Sequence, residues 1–386
     1  MATCDDDYDA AAALAAFHDS RAGVRGLAES GVAVVPPMFL RPATASSPAS
    51  PATTSAAFLV PSVDLSLPRS DAVALVRAAA SSCGFFQVTN HGVPEGTIDA
   101  AISGVRAFHE QPRAARSALY SPAPVDGAVA IAYCTIPIQP PRAGQPATLP
   151  LLPWRDSLVV RFGPAEAAAE LGLDDHLRLP VVCRDALLEY HRSLARLGKE
   201  MAGLVSEALG VGAERLEQLM RVEGSVMPCQ YYPPCPEPAR VVGGREHTDA
   251  SLFTVLAQDR VGGLQVQVDN DDDGHGGDGE WMDVPPVAGA LLINIGDVLK
   301  VVSNDKFKSM KHRVVIKSTQ DARVSIALFF NPSKQSESDF FRPLPELVTA
   351  TRPAKYRSLT LQELRSYRRE IGHAMTSVDR FKLFFE

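Results

Sequence analysis

Two metal-binding residue types stand two positions apart in the stretch REHTDASL (residues 245–252), as His247 and Asp249, and a second histidine, His312, follows His247 by 65 positions (312 minus 247). Alone, a His-x-Asp pair before an apolar run reads as a polar turn or a capping pair, because such residues are common at strand entries. His312 changes that reading. Two neutral imidazoles and one carboxylate, with three positions left open, form the facial arrangement by which ferrous iron takes up a chelating cosubstrate together with oxygen. Ten positions further on, the run ARVSIALFF alternates such that Arg323, Ser325, Ala327 and Phe329 share one face of a strand. Arg323 offers a planar fork suited to a carboxylate, and Ser325 adds a hydroxyl donor beside it. These are the groups expected around the remote carboxylate of 2-oxoglutarate. Ferrous iron and Arg323 would together offset Asp249 and a dicarboxylate, leaving little net charge in a buried pocket.

Such a set needs strands to hold it. From Val226 onward the chain breaks into short apolar runs separated by Gly, Pro and Asp: VMPCQYY, SLFTVLAQ, GLQVQV, ALLINI, VLKVV, KHRVVIK and ARVSIALFF. Seven runs in about a hundred residues predict a sandwich or jelly roll rather than βαβ units. In KHRVVIK, His312 shares a face with Val314 and Ile316, so its imidazole should point inward. Ahead of this region the pattern is helical and mixed. Ile98, Ile102, Val105 and Phe108 fall on one helical stripe, and Leu194, Leu197, Met201, Leu204, Val205 and Ala208 on another. Ser70 is the expected cap of a further helix through Ser82, and FFQV reads as a short strand leaving through TNHGVPEG. Residues 41–57 hold only Ala, Ser, Thr and Pro after Arg41 and read as a linker; the Pro-rich residues 121–153 read as loop. The segment from Ser358 to Glu386 looks helical and ends in the apolar FKLFF. The expected fold is therefore mainly β with flanking helices, a sandwich or jelly-roll core preceded by a mixed α/β region.

Composition narrows the function classes. At 386 residues and 46% hydrophobic, the chain has ample material for a large core. A net charge of -7, with its 38 Lys and Arg not gathered into a stripe, opposes binding to nucleic acid or anionic membrane. Six scattered cysteines predict free thiols in a reducing compartment. The N-terminus MATCDDDYD is acidic where a leader would be basic, and no apolar run approaches the ~18 residues of a membrane helix. A cytoplasmic protein, monomeric by default, is the expectation. Residues 269–280, DNDDDGHGGDGE, match the formal calcium-loop pattern, but they lie between strand-like runs and read as a solvated hairpin loop. His91 reads as a structural loop histidine and Trp154 as a packed side chain.

The phrases HTD, SMKHRV and ARVS, together with GFFQVTNHGVP, QYYPPCPEP, DRVGGLQV and GALLINIGD, resemble the plant iron(II)- and 2-oxoglutarate-dependent dioxygenases along nearly the whole chain. The opening FHDSRAGVRGLAESGV and the phrase WRDSL look like the subgroup of aminocyclopropanecarboxylate oxidase homologues, which is similar to the benzoxazinoid glucoside dioxygenases of grasses. The resemblance implies a double-stranded β-helix (jelly roll) with iron(II) on His247, Asp249 and His312, 2-oxoglutarate on Arg323, Ser325 and Tyr232, and Phe329 facing substrate. It implies O2 as cosubstrate, ascorbate as a stimulating reductant, and oxidation of a small plant specialised metabolite with release of succinate and CO2. It divides the chain into an N-terminal segment and linker (1–57), an N-terminal dioxygenase region (58–170), a helical connection (171–222), the jelly roll (223–335) and a helical tail (336–386). Gln230 departs from the family's asparagine ahead of YYP, and Lys311 from a frequent acidic residue. Two other readings stay open: an ascorbate-dependent oxidase of the aminocyclopropanecarboxylate type, and a jelly roll that binds a metabolite without catalysis.

Overall fold

The alternating runs fold as two facing sheets in the computed structural model, which describes residues 9–41, 56–122, 131–135, 151–162, 179–220, 225–268, 279–332, 340–371 and 378–383. The strands of these two sheets are β1 (Ser62–Asp64), β2 (Phe85–Thr89), β3 (Ile131–Cys134), β4 (Asp156–Arg161), β5 (Val226–Tyr232), β6 (Gly244–His247), β7 (Phe253–Gln258), β8 (Leu264–Val268), β9 (Glu280–Asp283), β10 (Leu291–Ile295), β11 (His312–Val314) and β12 (Arg323–Phe330). Eight form the larger sheet in the order β1-β2-β10-β7-β12-β5-β4-β3, and four the smaller in the order β6-β11-β8-β9. The expected jelly roll is what forms, with helices against its outer side.

Period-2 alternation sorts each strand between two cores. Phe86, Ile293, Val324, Ile326 and Tyr231 face outward into a cluster with helical residues. Their neighbours Phe85, Leu292 and Tyr232 face inward, packing with Leu264, Val266, Val314 and Ile316 of the smaller sheet. Helices α1 (Ala10–Asp19) and α2 (Gly23–Glu29) bury Leu14, Phe17 and Val24 in this second cluster, and the outer layer is built from α3 (Arg69–Ser82), α4 (Glu95–His109), α5 (Arg113–Ser117), α6 (Arg184–Leu209) and α7 (Arg215–Leu219). Along α6 the buried Leu187, Tyr190, Leu194, Leu197, Met201, Leu204, Val205 and Ala208 recur at helical spacing, which turns one face onto the sheet. Two more helices, α8 (Asp297–Val302) and α9 (Leu361–Ile371), follow β10 and approach the C-terminus. Phe381, the first residue of FKLFF, joins the outer core. Among the described residues no helix is long and apolar enough to cross a membrane.

Several local expectations need correction. The run VLKVV is not a strand but lies in α8, with Val298, Leu299, Val301 and Val302 all buried. An apolar run buried on every side carries no period, so its type is set by context. Here Gly296 is extended at the cap, and the Lys300 N–H donates to its carbonyl at 3.0 Å. Helix α3 begins at Arg69 with Pro68 at its cap, so Ser70 lies inside the first turn, its hydroxyl directed to Asp71 rather than to the backbone. Proline fixes its own φ and so pre-sets a helix start without a side-chain cap. Within the stretch read as loop, residues 131–134 form β3, paired antiparallel with β4, because Ile131 and Tyr133 find an outer core to enter. REHTDASL itself is half strand, since β6 runs to His247. Most of the linker (42–55) and of the acidic loop (269–278) lies outside the described residues; β8 and β9 on either side of that loop pair as an antiparallel hairpin.

Candidate metal centre

Strands β6 and β11 are neighbours in the smaller sheet, and His247 pairs directly with His312 across them. Side chains 65 positions apart in sequence thus stand together, their ring centroids separated by 4.2 Å. After His247 the chain leaves β6 and turns before β7. The turn carries Asp249 over the pair, with its Oδ1 at 3.7 Å from the Nε2 of each histidine. The three ligand atoms all lie within 4.8 Å of one another, and no other such group occurs among the described residues.

The surroundings prepare these atoms for a cation. His247 Nδ1–H donates to the Arg245 carbonyl at 2.7 Å and His312 Nδ1–H to the Met310 carbonyl at 3.2 Å, which leaves each Nε2 lone pair directed at Asp249 Oδ1. Asp249 is buried, and its Oδ2 accepts from the Thr254 hydroxyl and the Asn294 amide, both at 2.7 Å. Burial pushes the Asp249 carboxyl up, but His312, His247 and the two donors outweigh it and hold the group below the usual carboxylate range. Two imidazole lone pairs and a carboxylate oxygen facing one point are a donor set that fits ferrous iron.

The turn is braced from α8. The Thr248 hydroxyl donates to Asp297 Oδ2 at 3.0 Å, and the Asp297 N–H donates to the Asp249 carbonyl at 2.7 Å. Gly296 makes this approach possible, since a Cβ there would stand 2.1 Å from the Ser251 carbonyl oxygen.

Away from the histidines, the inner face of the larger sheet carries the second cluster. Arg323 pairs with Tyr232, and Ser325 lies between Gln230 and Gln258. The Arg323 guanidinium, only 4% exposed, donates to Ser325 Oγ at 2.9 Å and Gln258 Oε1 at 3.0 Å, and its Cζ lies 4.8 Å from the Tyr232 ring centroid. Its Nε is buried without a partner, and among the described residues no carboxylate pairs with it. A buried cation lacking an anion fits a carboxylate-bearing cosubstrate. The two ends are held in one frame: Thr254, which braces Asp249, and Gln258, which braces Arg323, are four residues apart on β7, about 13 Å by strand rise. Phe329, half-buried, pairs with Thr254 on that inner face at the histidine end. Gln230 uses its extra length to accept a hydrogen bond from the Ser157 hydroxyl on β4.

All six expected ligand residues and Phe329 therefore face one interior. The residues that sequence reading missed are Thr254, Asn294, Gln258 and Asp297. Their signal is a polar residue inside or directly after an apolar run. Trp154 is fully packed, its indole N–H donating to the Pro233 carbonyl at 3.1 Å, and His91 bonds the Gly289 carbonyl at 2.9 Å, so both are structural.

Comparison with known proteins agrees with this geometry. Residues 223–332 match the 2OG-Fe(II) oxygenase superfamily, and residues 60–133 match the N-terminal domain of the non-haem dioxygenases in morphine synthesis. The chain is 34% identical to a probable 2-oxoacid dependent dioxygenase of Arabidopsis thaliana, covering 98% of this chain and 99% of that one. It is 35% identical to 1-aminocyclopropane-1-carboxylate oxidase homolog 3 of Arabidopsis thaliana over 95% of both chains, and 33% identical to a homolog from Solanum lycopersicum over 98% of both. Among solved structures, JOX2 in complex with 2OG, Fe and JA superposes with a TM-score of 0.71 at 28% identity, covering 89% of this chain and 92% of that one. The rice dioxygenase for auxin oxidation gives 0.66 at 27% identity, over 84% of this chain and 100% of that one. Because the likeness runs the length of these relatives rather than through one motif, the protein belongs to the 2OG-Fe(II) oxygenase superfamily and is an iron(II)- and 2-oxoglutarate-dependent dioxygenase.

Proposed function

We propose that the protein oxidises a small plant specialised metabolite, by hydroxylation or demethylation, with His247, Asp249 and His312 holding iron(II) and with Arg323, Ser325 and Tyr232 holding 2-oxoglutarate. The observation that carries this assignment of roles is the buried Arg323 guanidinium, without a carboxylate partner, on the interior that also receives the His-Asp-His group. When bound, iron and 2-oxoglutarate supply the oxidising chemistry, with O2 consumed and the cosubstrate decarboxylated to succinate and CO2. The chain's residues do the rest by placement. Thr254 and Asn294 keep Asp249 Oδ2 engaged, so Oδ1 alone is presented with the imidazoles. Gln258 and Ser325 fix the Arg323 fork, so a distal carboxylate meets a preset geometry. Phe329, on the wall near Thr254, faces the substrate. Plant relatives at about one-third identity support a plant metabolite as substrate, and of the two solved neighbours one is in complex with JA and the other is named for auxin oxidation. A monomer acting in the cytoplasm, without nucleic acid or membrane partner, completes the reading. The acidic net charge and five described cysteines outside any disulfide support it.

The test is anaerobic addition of ferrous iron and 2-oxoglutarate, followed by the weak visible charge-transfer band of the chelate. The expected result is a band in the wild type that vanishes in His247→Ala and weakens in Arg323→Ala, followed by succinate release when plant metabolites are screened. Folded wild-type protein that binds neither iron nor 2-oxoglutarate would overturn the assignment.

A further inference from the structure

Arg106, near the end of α4, reaches the ends of three strands of the larger sheet from the outer layer. Its Nη2 donates to Asp259 Oδ2 at 2.9 Å, directly after β7, and to the Ala322 carbonyl at 3.1 Å, directly before β12. Its Nη1 stands 3.7 Å from Glu110 Oε1, which accepts the hydroxyl of Tyr231 on β5 at 3.2 Å. Asp259 fastens the same junction from its own side. Its N–H donates to the Val324 carbonyl at 3.0 Å, its Oδ2 accepts the Val324 N–H at 2.6 Å, and its Oδ1 accepts the Val261 N–H at 3.1 Å. The carboxylate thus completes the last pair of the β7–β12 ladder and ties that pair to α4.

The residues one position away from these contacts are those assigned to the cosubstrate. Gln258 precedes Asp259, Arg323 lies between Ala322 and Val324, and Tyr232 follows Tyr231. Successive side chains of a strand point to opposite faces, so backbone gripped from outside fixes what projects inside. The register agrees, with Arg323 opposite Tyr232 and Val324 opposite Tyr231. Inside, the Arg323 guanidinium is held by two neutral acceptors, Ser325 Oγ and Gln258 Oε1, one on β12 and one on β7. Its direction therefore depends on how those two strands stand at their junction. Charge is divided between the faces as well. Asp259, with its side chain 11% exposed, has Arg106 as its cation on the outer side, and Arg323 keeps its fork for an anion in the interior.

We propose that Arg106 is a positioning residue for 2-oxoglutarate: from the outer helical layer it fixes the β7–β12 junction, and with it the aim of Arg323 at the distal carboxylate of the cosubstrate. This role presupposes the reading that Arg323 receives that carboxylate, and it is exerted from the opposite face of the sheet.

The test is discrimination of a distal carboxylate, read in binding rather than turnover. Anaerobic titration calorimetry on the iron(II)-loaded protein compares 2-oxoglutarate with 2-oxopentanoate, which keeps the chelating end and the chain but has a methyl group where the distal carboxylate stands. The proteins are wild type, Arg323→Met, Arg106→Met and, as control, Arg69→Met, which breaks the ion pair of Arg69 with Glu207 between α3 and α6. The wild type is expected to prefer 2-oxoglutarate, and Arg323→Met to lose that preference. Arg106→Met is expected to bind 2-oxoglutarate roughly 10-fold more weakly and 2-oxopentanoate as the wild type does. Arg69→Met should change neither affinity. An Arg106→Met protein with wild-type affinity for 2-oxoglutarate, or with equal losses for the two keto acids, overturns the role, since an ion pair that only stabilises the fold would weaken both or neither. A selective loss in Arg69→Met overturns it too. If Arg323→Met keeps the preference, the underlying reading of Arg323 fails instead, and the two failures are told apart. Should Arg106→Met not fold, Arg106→Gln, which removes the charge and keeps an amide donor, takes its place; a selective loss for 2-oxoglutarate is again expected, and its absence overturns the role equally.

Discussion

One oxygen of Asp249 faces two imidazoles, while the other is fully engaged by Thr254 and Asn294. That division of labour keeps a buried carboxylate ionised and fixes its rotation before any cation arrives. Removing one of the two donors should loosen it without touching a ligand. Thr254→Val, which keeps the shape and loses the hydroxyl, is expected to weaken ferrous iron binding by about 10- to 100-fold. Anaerobic competition titration against a chelator measures this, and unchanged iron affinity would show that Asn294 alone suffices. The proposed ligand residues stand out in the sequence because histidine, aspartate and arginine in inward positions of apolar strands are few, and each has a distinct chemical use. Thr254, Asn294 and Gln258 do not. A single polar residue in SLFTVLAQ or ALLINI gives no sign of what it bonds until the β7–β10 and β7–β12 registers set Thr254 opposite Asn294 and Gln258 opposite Ser325.

Strand β4 shows how one element serves two faces. Inward, the Ser157 hydroxyl donates to Gln230; outward, Asp156 holds the start of α2. The outward carboxylate is fully buried and accepts from Val24 N–H at 2.9 Å, Arg25 N–H at 2.7 Å, the Tyr133 hydroxyl at 2.9 Å and the Thr135 hydroxyl at 2.7 Å. The phrases FHDSRAGVRGLAESGV and WRDSL, 131 positions apart between Arg25 and Asp156 (156 minus 25), are thus two halves of a single contact. Each buried donor left unpaired costs about 1–3 kcal/mol, so Asp156→Ala should destabilise the fold by several times the effect of an ordinary surface change. The measurement is the urea midpoint together with limited proteolysis. Cleavage appearing first between Ala10 and Leu40 is the expected pattern; cleavage spread evenly over the chain would mean that α2 is not held chiefly by this carboxylate. Both phrases were visible in the sequence, but their contact was not, because it runs between a helix end and a strand with no shared periodicity. The α8 misreading has a similar origin: VLKVV is apolar throughout, and only its junction with Gly296 and the braced turn of Thr248 and Asp249 makes it a helix.

Three buried histidines join the layers of the molecule. His18 on α1 bonds the Tyr120 hydroxyl at 2.8 Å, His91 after β2 bonds the Gly289 carbonyl at 2.9 Å, and His109 at the end of α4 stacks on Tyr231 of β5 with centroids 4.8 Å apart. Burial lowers all three below the ordinary histidine value, and for His109 burial and then the Arg116 guanidinium push it down to about 3. A lowered folded value means that the unfolded chain takes up protons first as the solution is acidified. The stability from keeping these rings neutral is therefore complete above about pH 6.5 and is lost progressively as pH falls toward the folded values. Asp156 contributes the opposite slope, since burial raises its carboxyl in the folded state. For His109 alone the limiting slope is about 1.4 kcal/mol per pH unit between roughly pH 6.5 and 3. Urea unfolding of the metal-free protein at pH 7.5, 6.5 and 5.5 should show stability falling across the last interval. His109→Phe, which keeps a ring on Tyr231 but cannot be protonated, should show a shallower fall over the same interval. All other ionisable groups are common to the two proteins, so the difference between the two slopes isolates His109. Equal slopes would mean that its ring is not what couples the helical layer to acid, whereas a shallower slope identifies this α4–β5 contact as the acid-sensitive joint between the outer helices and the sheet that carries Tyr232.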